Sequence, residues 1–249
     1  MIEPSNLWLT IHESIGHATE LDRALGHEAS YAGTTFATTG GLGTLRYGSP
    51  AMNVAADRTT PHGLATTGFD DEGVAAQSWE LVREGVHVGY QVDRGTAGAL
   101  AMPRSNGCAY AQSAHHVALQ RMPNVSLVPG QGGPATEDLI SAVDDGLYVV
   151  GSGSWSIDTR RENFQFSAQR YFRIRRGSLV GQVRDLAYQS STLDFWRSLE
   201  AVGGPSTFAL FGADLCGKGR PVQSAAASHG SPSALFRSVP VLGISEALA

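Results

Sequence analysis

Cysteine is nearly missing from this chain: only Cys108 and Cys216 occur among 249 residues. Two cysteines exclude a disulfide framework and make a reducing compartment, the cytoplasm, the expected location. No run of about 18 apolar residues exists, so no membrane-spanning helix is expected. Basic residues are outnumbered, 18 Lys and Arg against 23 Asp and Glu, and they form no run. Nucleic acid is therefore not the expected partner. The opening Met1-Ile2-Glu3-Pro4 has none of the basic-then-apolar pattern of a secretory signal. Internal repeats and low-complexity linkers are missing as well. What is present is 42% hydrophobic and 16% charged, with 30 glycines. That composition describes a compact, turn-rich protein with enough chain for one sizeable core or two modest ones.

The most informative stretch is Ile11-His12-Glu13-Ser14-Ile15-Gly16-His17-Ala18-Thr19-Glu20-Leu21-Asp22-Arg23. Two imidazoles can hold a zinc ion while a carboxylate beside them takes a proton from bound water. The spacing is H-E-x-x-x-H, one residue longer than the common H-E-x-x-H. Positions five apart on a regular α-helix are rotated by roughly 140°. His12 and His17 can share one ion only if the helix widens, as a one-residue π-bulge would make it. Gly16 lowers the resistance to that distortion. Leu7, Leu9, Ile11, Ile15 and Ala18 predict a largely buried helix, whose polar residues need partners that a metal would supply.

H-E-x-x-G-H followed by A-T-E-L-D-R resembles the metal-binding helix of the TldD/PmbA family of metallopeptidases. Further stretches follow in that family's order. These are Asp70-Asp71-Glu72-Gly73-Val74, Arg94-Gly95-Thr96-Ala97-Gly98, Gln120-Arg121-Met122-Pro123-Asn124-Val125, Leu127-Val128-Pro129-Gly130 and Asp214-Leu215-Cys216-Gly217-Lys218-Gly219. After the cysteine the chain departs from the family: Arg220-Pro221-Val222-Gln223 leads into Ser224-Ala225-Ala226-Ala227. The resemblance covers the family's C-terminal half, with the histidine helix beginning almost at residue 1 and the N-terminal half absent. It implies a single domain over 1–249 and a zinc-dependent peptidase working on small or unfolded peptides. It also implies subunits that work in pairs, as a homodimer or with a related subunit. A non-catalytic scaffold or partner subunit is the alternative reading.

The pattern elsewhere predicts an α+β fold, mainly antiparallel sheet with the N-terminal metal-binding helix and a few short helices. Ser5 or Asn6 is expected to cap the first helix, which runs to about Leu25 and stops at Gly26. Short strand-like runs follow at Tyr31–Thr39, Gly63–Phe69, Trp79–Val82, Gly85–Asp93 and Val125–Val128, with Glu84-Gly85 as a hairpin turn. Thr136 is expected to cap a helix from Glu137 to about Asp145. Strands are expected at Leu147–Val150, Ser154–Asp158, Asn163–Ile174 and Ser178–Ala187. A helix from Thr192 to Val202, a Cys216 loop and a last strand near Val239–Ile244 complete the reading.

His12 and His17 supply two zinc ligands, and Cys216, Glu20, Asp22 and His27 compete for the third place. Glu20 lies three residues after His17, on its helical face. Cys216 lies beside glycine, where backbone can approach an ion, and Lys218 nearby would favour its thiolate. The resemblance puts Cys216 in the third ligand's place, which leaves Glu20 to orient His17. Glu13, pointing about 100° away from His12, becomes the general base. Cys108, His27, His62, His87 and His229 read as structural. His115 and His116 read as surface histidines that could face a developing oxyanion, and Asp70-Asp71-Glu72 reads as a solvated turn. Leu7, Trp8 and Leu9 are expected to present apolar surface to a second subunit.

Overall fold

The computed structural model describes residues 1–243. Helix α1 (Pro4–Ile11) starts with proline at its first turn, where no amide partner is needed. Its cap is Glu3, which accepts from the Ser5 amide, and neither Ser5 nor Asn6 takes that place. The chain then widens into a π-turn (His12–Gly16) and tightens into a 3-10 turn (His17–Thr19). Glu20 is extended, and α2 (Leu21–Ala24) is a separate short helix ended by Gly26 at φ 83°. The expected widening is present, but the expected single helix is three segments and a break.

Strand β1 (Val54–Asp57) pairs antiparallel with both β2 (Ser78–Arg83) and a later strand, and β2 turns through Glu84-Gly85 into β3 (Val86–His87). Both turn residues have positive φ, 48° and 78°, which matches strand twist across a tight hairpin. The expected strand to Asp93 ends at His87, because Gln91 leaves the sheet to bond through its amide to the Thr19 carbonyl and through its carbonyl to the Leu21 amide, alongside Glu20 of the histidine segment. Tyr31–Thr39 and Gly63–Phe69 are not strands. Thr34 and Phe36 donate to the Thr159 and Arg160 carbonyls, inside a turn.

Helix α3 (Arg94–Ala97), the short pair β4 (Ala109–Tyr110) and β5 (Leu119–Gln120), and β6 (Asn124–Leu127) follow, with β6 closing the first sheet against β1. Helix α4 (Thr136–Ser141) is capped from Ala135 and is shorter than expected. One bent strand, β7 (Asp145–Ile157), replaces the two expected there; Gly151 at φ 72° and a register shift let it bend without ending. It pairs with β8 (Asn163–Arg175), which also holds β9 (Ser178–Val183) and β10 (Leu186–Ser191). Helix α5 (Thr192–Arg197) is one short helix capped by Ser191, and β11 (Leu199–Val202) takes the rest of the expected helix. Strand β12 (Ala209–Lys218) forms a ribbon with β13 (Gln223–Ser231). Then β14 (Ala234–Phe236) pairs with β11 and β15 (Val241–Gly243) with β10. The expected last strand reaches Ile244, which lies outside the described residues. Antiparallel sheet dominates, as the sequence pattern predicts.

The main core lies between these sheets and carries Phe164, Phe166, Tyr188, Phe195, Trp196 and Phe236 in mutual contact. Helix α1 is packed against β7, β12, β13 and β6. Leu7 and Leu9 are buried inside the chain itself, so they are not the apolar docking surface expected from the sequence. Among the described residues no helix is long and apolar enough to cross a membrane.

Candidate metal centre

The π-turn is held by side chains from distant strands. The His17 amide bonds to the His12 carbonyl, the five-residue link that brings the two imidazoles onto one face. Widening leaves other carbonyls without regular helical partners. Tyr47 donates its hydroxyl to the Ser14 carbonyl, Gln91 its amide to Gly16, and Thr19 its hydroxyl to Ile15 at 2.9 Å. Ser14 itself accepts from the Trp196 indole at 2.9 Å. Gly16 has a second use: a Cβ there would sit 2.5 Å from the Met122 sulfur, so any larger residue would make that side chain shift from its place over the turn.

Cys216 comes from β12 and is not in a loop. The β12–β13 register shifts between Ala213 and Cys216. The resulting bulge leaves Leu215 76% exposed while Cys216 is buried. One donor atom each from His12, His17 and Cys216 lies within 4.8 Å of the others. Nε2 of His17 is 3.4 Å from the Cys216 sulfur. A zinc ion about 2.0–2.3 Å from each donor spans a gap of that order. Two imidazole nitrogens and a thiolate are also a donor set that zinc takes, so these residues fit the ion.

Burial pushes the Cys216 thiol up, but His17, with Arg121 behind it, outweighs this and leaves it lowered. Lys218, expected to favour the thiolate, is instead engaged with two carboxylates. Its ammonium lies 2.7 Å from Asp22 and 3.4 Å from Glu20, bridging β12 to the start of α2. Burial also works against charged Glu20, yet Lys218, His17 and Arg23 hold its carboxyl well below the usual range. Glu20 accepts from His17 Nδ1 at 3.1 Å. Burial and the neighbouring His17 and His229 rings push His12 well below its ordinary value, and burial takes His229 down to about 3.

Of the other sequence candidates, Asp22 is engaged with Lys218 and His27 is exposed. His115 is exposed in a surface turn with His116, which bonds to Ser113 at 2.8 Å. Asp70 is buried and is not solvated as expected: it takes the Glu72, Val74 and Ala109 amides and folds its own turn. Two residues near the site had no sequence signal. Arg161, at φ 62° in the turn between β7 and β8, donates to the Glu13 carboxylate. His229, read as structural, lies with Nε2 2.7 Å from His12 Nδ1.

The PmbA/TldA metallopeptidase C-terminal domain matches residues 2–243. This chain belongs to that family. A metalloprotease of Synechocystis sp. is 30% identical over 98% of this chain and 49% of its own length. A zinc metalloprotease TldD homolog of Saccharolobus solfataricus is 24% identical over 81% of this chain and 43% of its own. The crystal structure of TldE from Thermococcus kodakarensis superposes with a TM-score of 0.75 at 19% identity, over 97% of this chain and 49% of that one. The chain thus spans about half the length of the curated relatives it matches. In this PmbA/TldA domain the histidine segment and the cysteine strand meet across 199 residues of sequence.

Proposed function

We propose that this chain carries the catalytic centre of a zinc-dependent peptidase acting on small or unfolded peptides. His12, His17 and Cys216 would hold the ion and Glu13 is the general base. The convergence of those three donor atoms, from a π-turn and a strand bulge, is the observation that carries the reading. Bound zinc supplies electrophilic stabilisation of the scissile carbonyl and acidifies water. Glu13 takes the proton of the attacking water and later delivers it to the leaving amine. Arg161 holds the Glu13 carboxylate in place. Glu20 accepts the His17 Nδ1 proton and so turns Nε2 toward Cys216.

Strand β12 pairs with no strand other than β13 among the described residues. Its main chain offers an extended peptide strand-like hydrogen bonds with little demand on sequence. Leu215 and Val222, 76% and 58% exposed, add apolar surface for such a peptide or for a second subunit. Association with a second copy or a related subunit belongs to this reading, and sedimentation at micromolar concentration tests it.

Metal content is the decisive measurement for the site. The purified protein is expected to carry about one zinc per chain, with Cys216→Ser losing most of it and Cys108→Ser keeping it. Equal retention in the two variants removes Cys216 from the site. Hydrolysis of an unstructured reporter peptide by the zinc-loaded protein, abolished by a chelator, tests the activity separately.

A further inference from the structure

His229 is a buried imidazole that the proposed reaction does not use, and its two ring nitrogens have different partners. Nδ1 lies 3.0 Å from the Val125 carbonyl. A carbonyl only accepts, so Nδ1 carries the proton. In a neutral ring the other nitrogen, Nε2, is then a bare acceptor. It sits 2.7 Å from Nδ1 of His12, which must therefore be the donor. With its Nδ1 protonated, His12 has its lone pair on Nε2.

We infer that His229 is the positioning residue of His12, fixing the tautomer and ring orientation in which Nε2 is free to bind a metal. This rests on the zinc reading above.

The surroundings hold His229 to that task. Strand β6 grips it through three consecutive residues: Asn124 accepts from the Ser228 amide at 3.1 Å, Val125 takes the ring, and Ser126 accepts from the Gly230 amide at 2.9 Å. Trp8, from α1, stacks on the ring at 6.4 Å with an 11° tilt. His229 is fully buried, so water cannot substitute for either partner. The arrangement differs from that of His17, which is oriented by the Glu20 carboxylate. A neutral imidazole orients His12 without adding a buried negative charge beside Glu20 and Cys216. Metal-binding histidines need such an outer partner, and its loss typically costs about 10–100-fold in affinity.

Nuclear magnetic resonance of the metal-free full chain, with histidines labelled in nitrogen-15, reads the tautomer directly from long-range proton–nitrogen couplings. Wild-type His12 is expected as the Nδ1–H form, and a His12 protonated on Nε2 overturns the inference without any variant. His229→Leu is expected to lose that form and to bind zinc about 10–100-fold more weakly in competition with a chelating dye. His229→Gln, whose Oε1 can accept from His12, is expected to restore both. A Leu variant with wild-type tautomer or wild-type affinity, or a folded Gln variant that restores neither, overturns it. A wild-type chain with the Nδ1–H tautomer that takes up no zinc refutes the metal reading instead and leaves the tautomer assignment supported.

Discussion

Arg161 donates a hydrogen bond from Nη1 to the Glu13 carboxylate, and the two side chains are only 15% and 11% exposed. They come from opposite ends of the site's architecture, one from a strand turn and the other from the π-turn. The pair fixes a carboxylate that the histidine segment alone would leave free to rotate. Replacing Arg161 with glutamine is expected to leave zinc content unchanged and to lower kcat about 100-fold, the cost of misplacing a reacting group. Steady-state peptide hydrolysis with parallel metal analysis measures both, and unchanged kcat would make the pair purely structural.

Glu13 is expected to be a base and not a ligand. Glu13→Ala should fold and keep its zinc while hydrolysis falls by about 10²–10⁴-fold. Loss of zinc in that variant would place Glu13 among the ligands. Unchanged hydrolysis by a zinc-loaded variant would refute the mechanism.

Lys218 ties the cysteine strand to the segment after the histidines through two buried carboxylates, Glu20 and Asp22. Lys218→Met leaves both without their shared cation, and breaking a buried pair on one side costs about 3–5 kcal/mol. Chemical denaturation is expected to show a loss of that size. A stability equal to wild type would mean that Arg23 and water compensate the carboxylates.

His87 supplies a pH dependence away from the metal centre. Its ring lies between Tyr47 and Tyr90, and Nε2 bonds to the Gly89 carbonyl at 2.8 Å. Burial takes it from 6.5 down to about 4. Between those values the unfolded chain binds a proton that the folded ring refuses, so stability falls as pH drops through the window. The full effect is about 3 kcal/mol, since each pKa unit is worth about 1.4 kcal/mol. Unfolding free energies at pH 7 and pH 4.5 should differ less in His87→Gln than in wild type; an equal difference would rule His87 out as a source of acid sensitivity.

The histidine segment was legible because its chemistry is local. Two imidazoles, the glutamate between them and a five-residue spacing demand a widened turn, and the turn is there. Alternation and turn residues also announced the Glu84-Gly85 hairpin and the prevailing antiparallel sheet. Where the reading failed, long-range partners overrode local pattern. The segment from Leu199 to Val202 continues a helical-looking run, yet it pairs with β14 as a strand. Tyr31–Thr39 looks like a strand but spends its amides on the Thr159–Arg160 turn.

Residue types and their spacing were enough to mark which side chains could bind an ion and to require a distorted helix. What holds that distortion, and what surrounds it, came from the folded chain. Tyr47, Gln91 and Trp196 support the π-turn from 33, 75 and 182 residues away. Arg161 and His229 reach Glu13 and His12 from 148 and 217 residues away. Hydrogen bonds act over about 3 Å of space, and no residue spacing records that the folded chain brings such distant positions together.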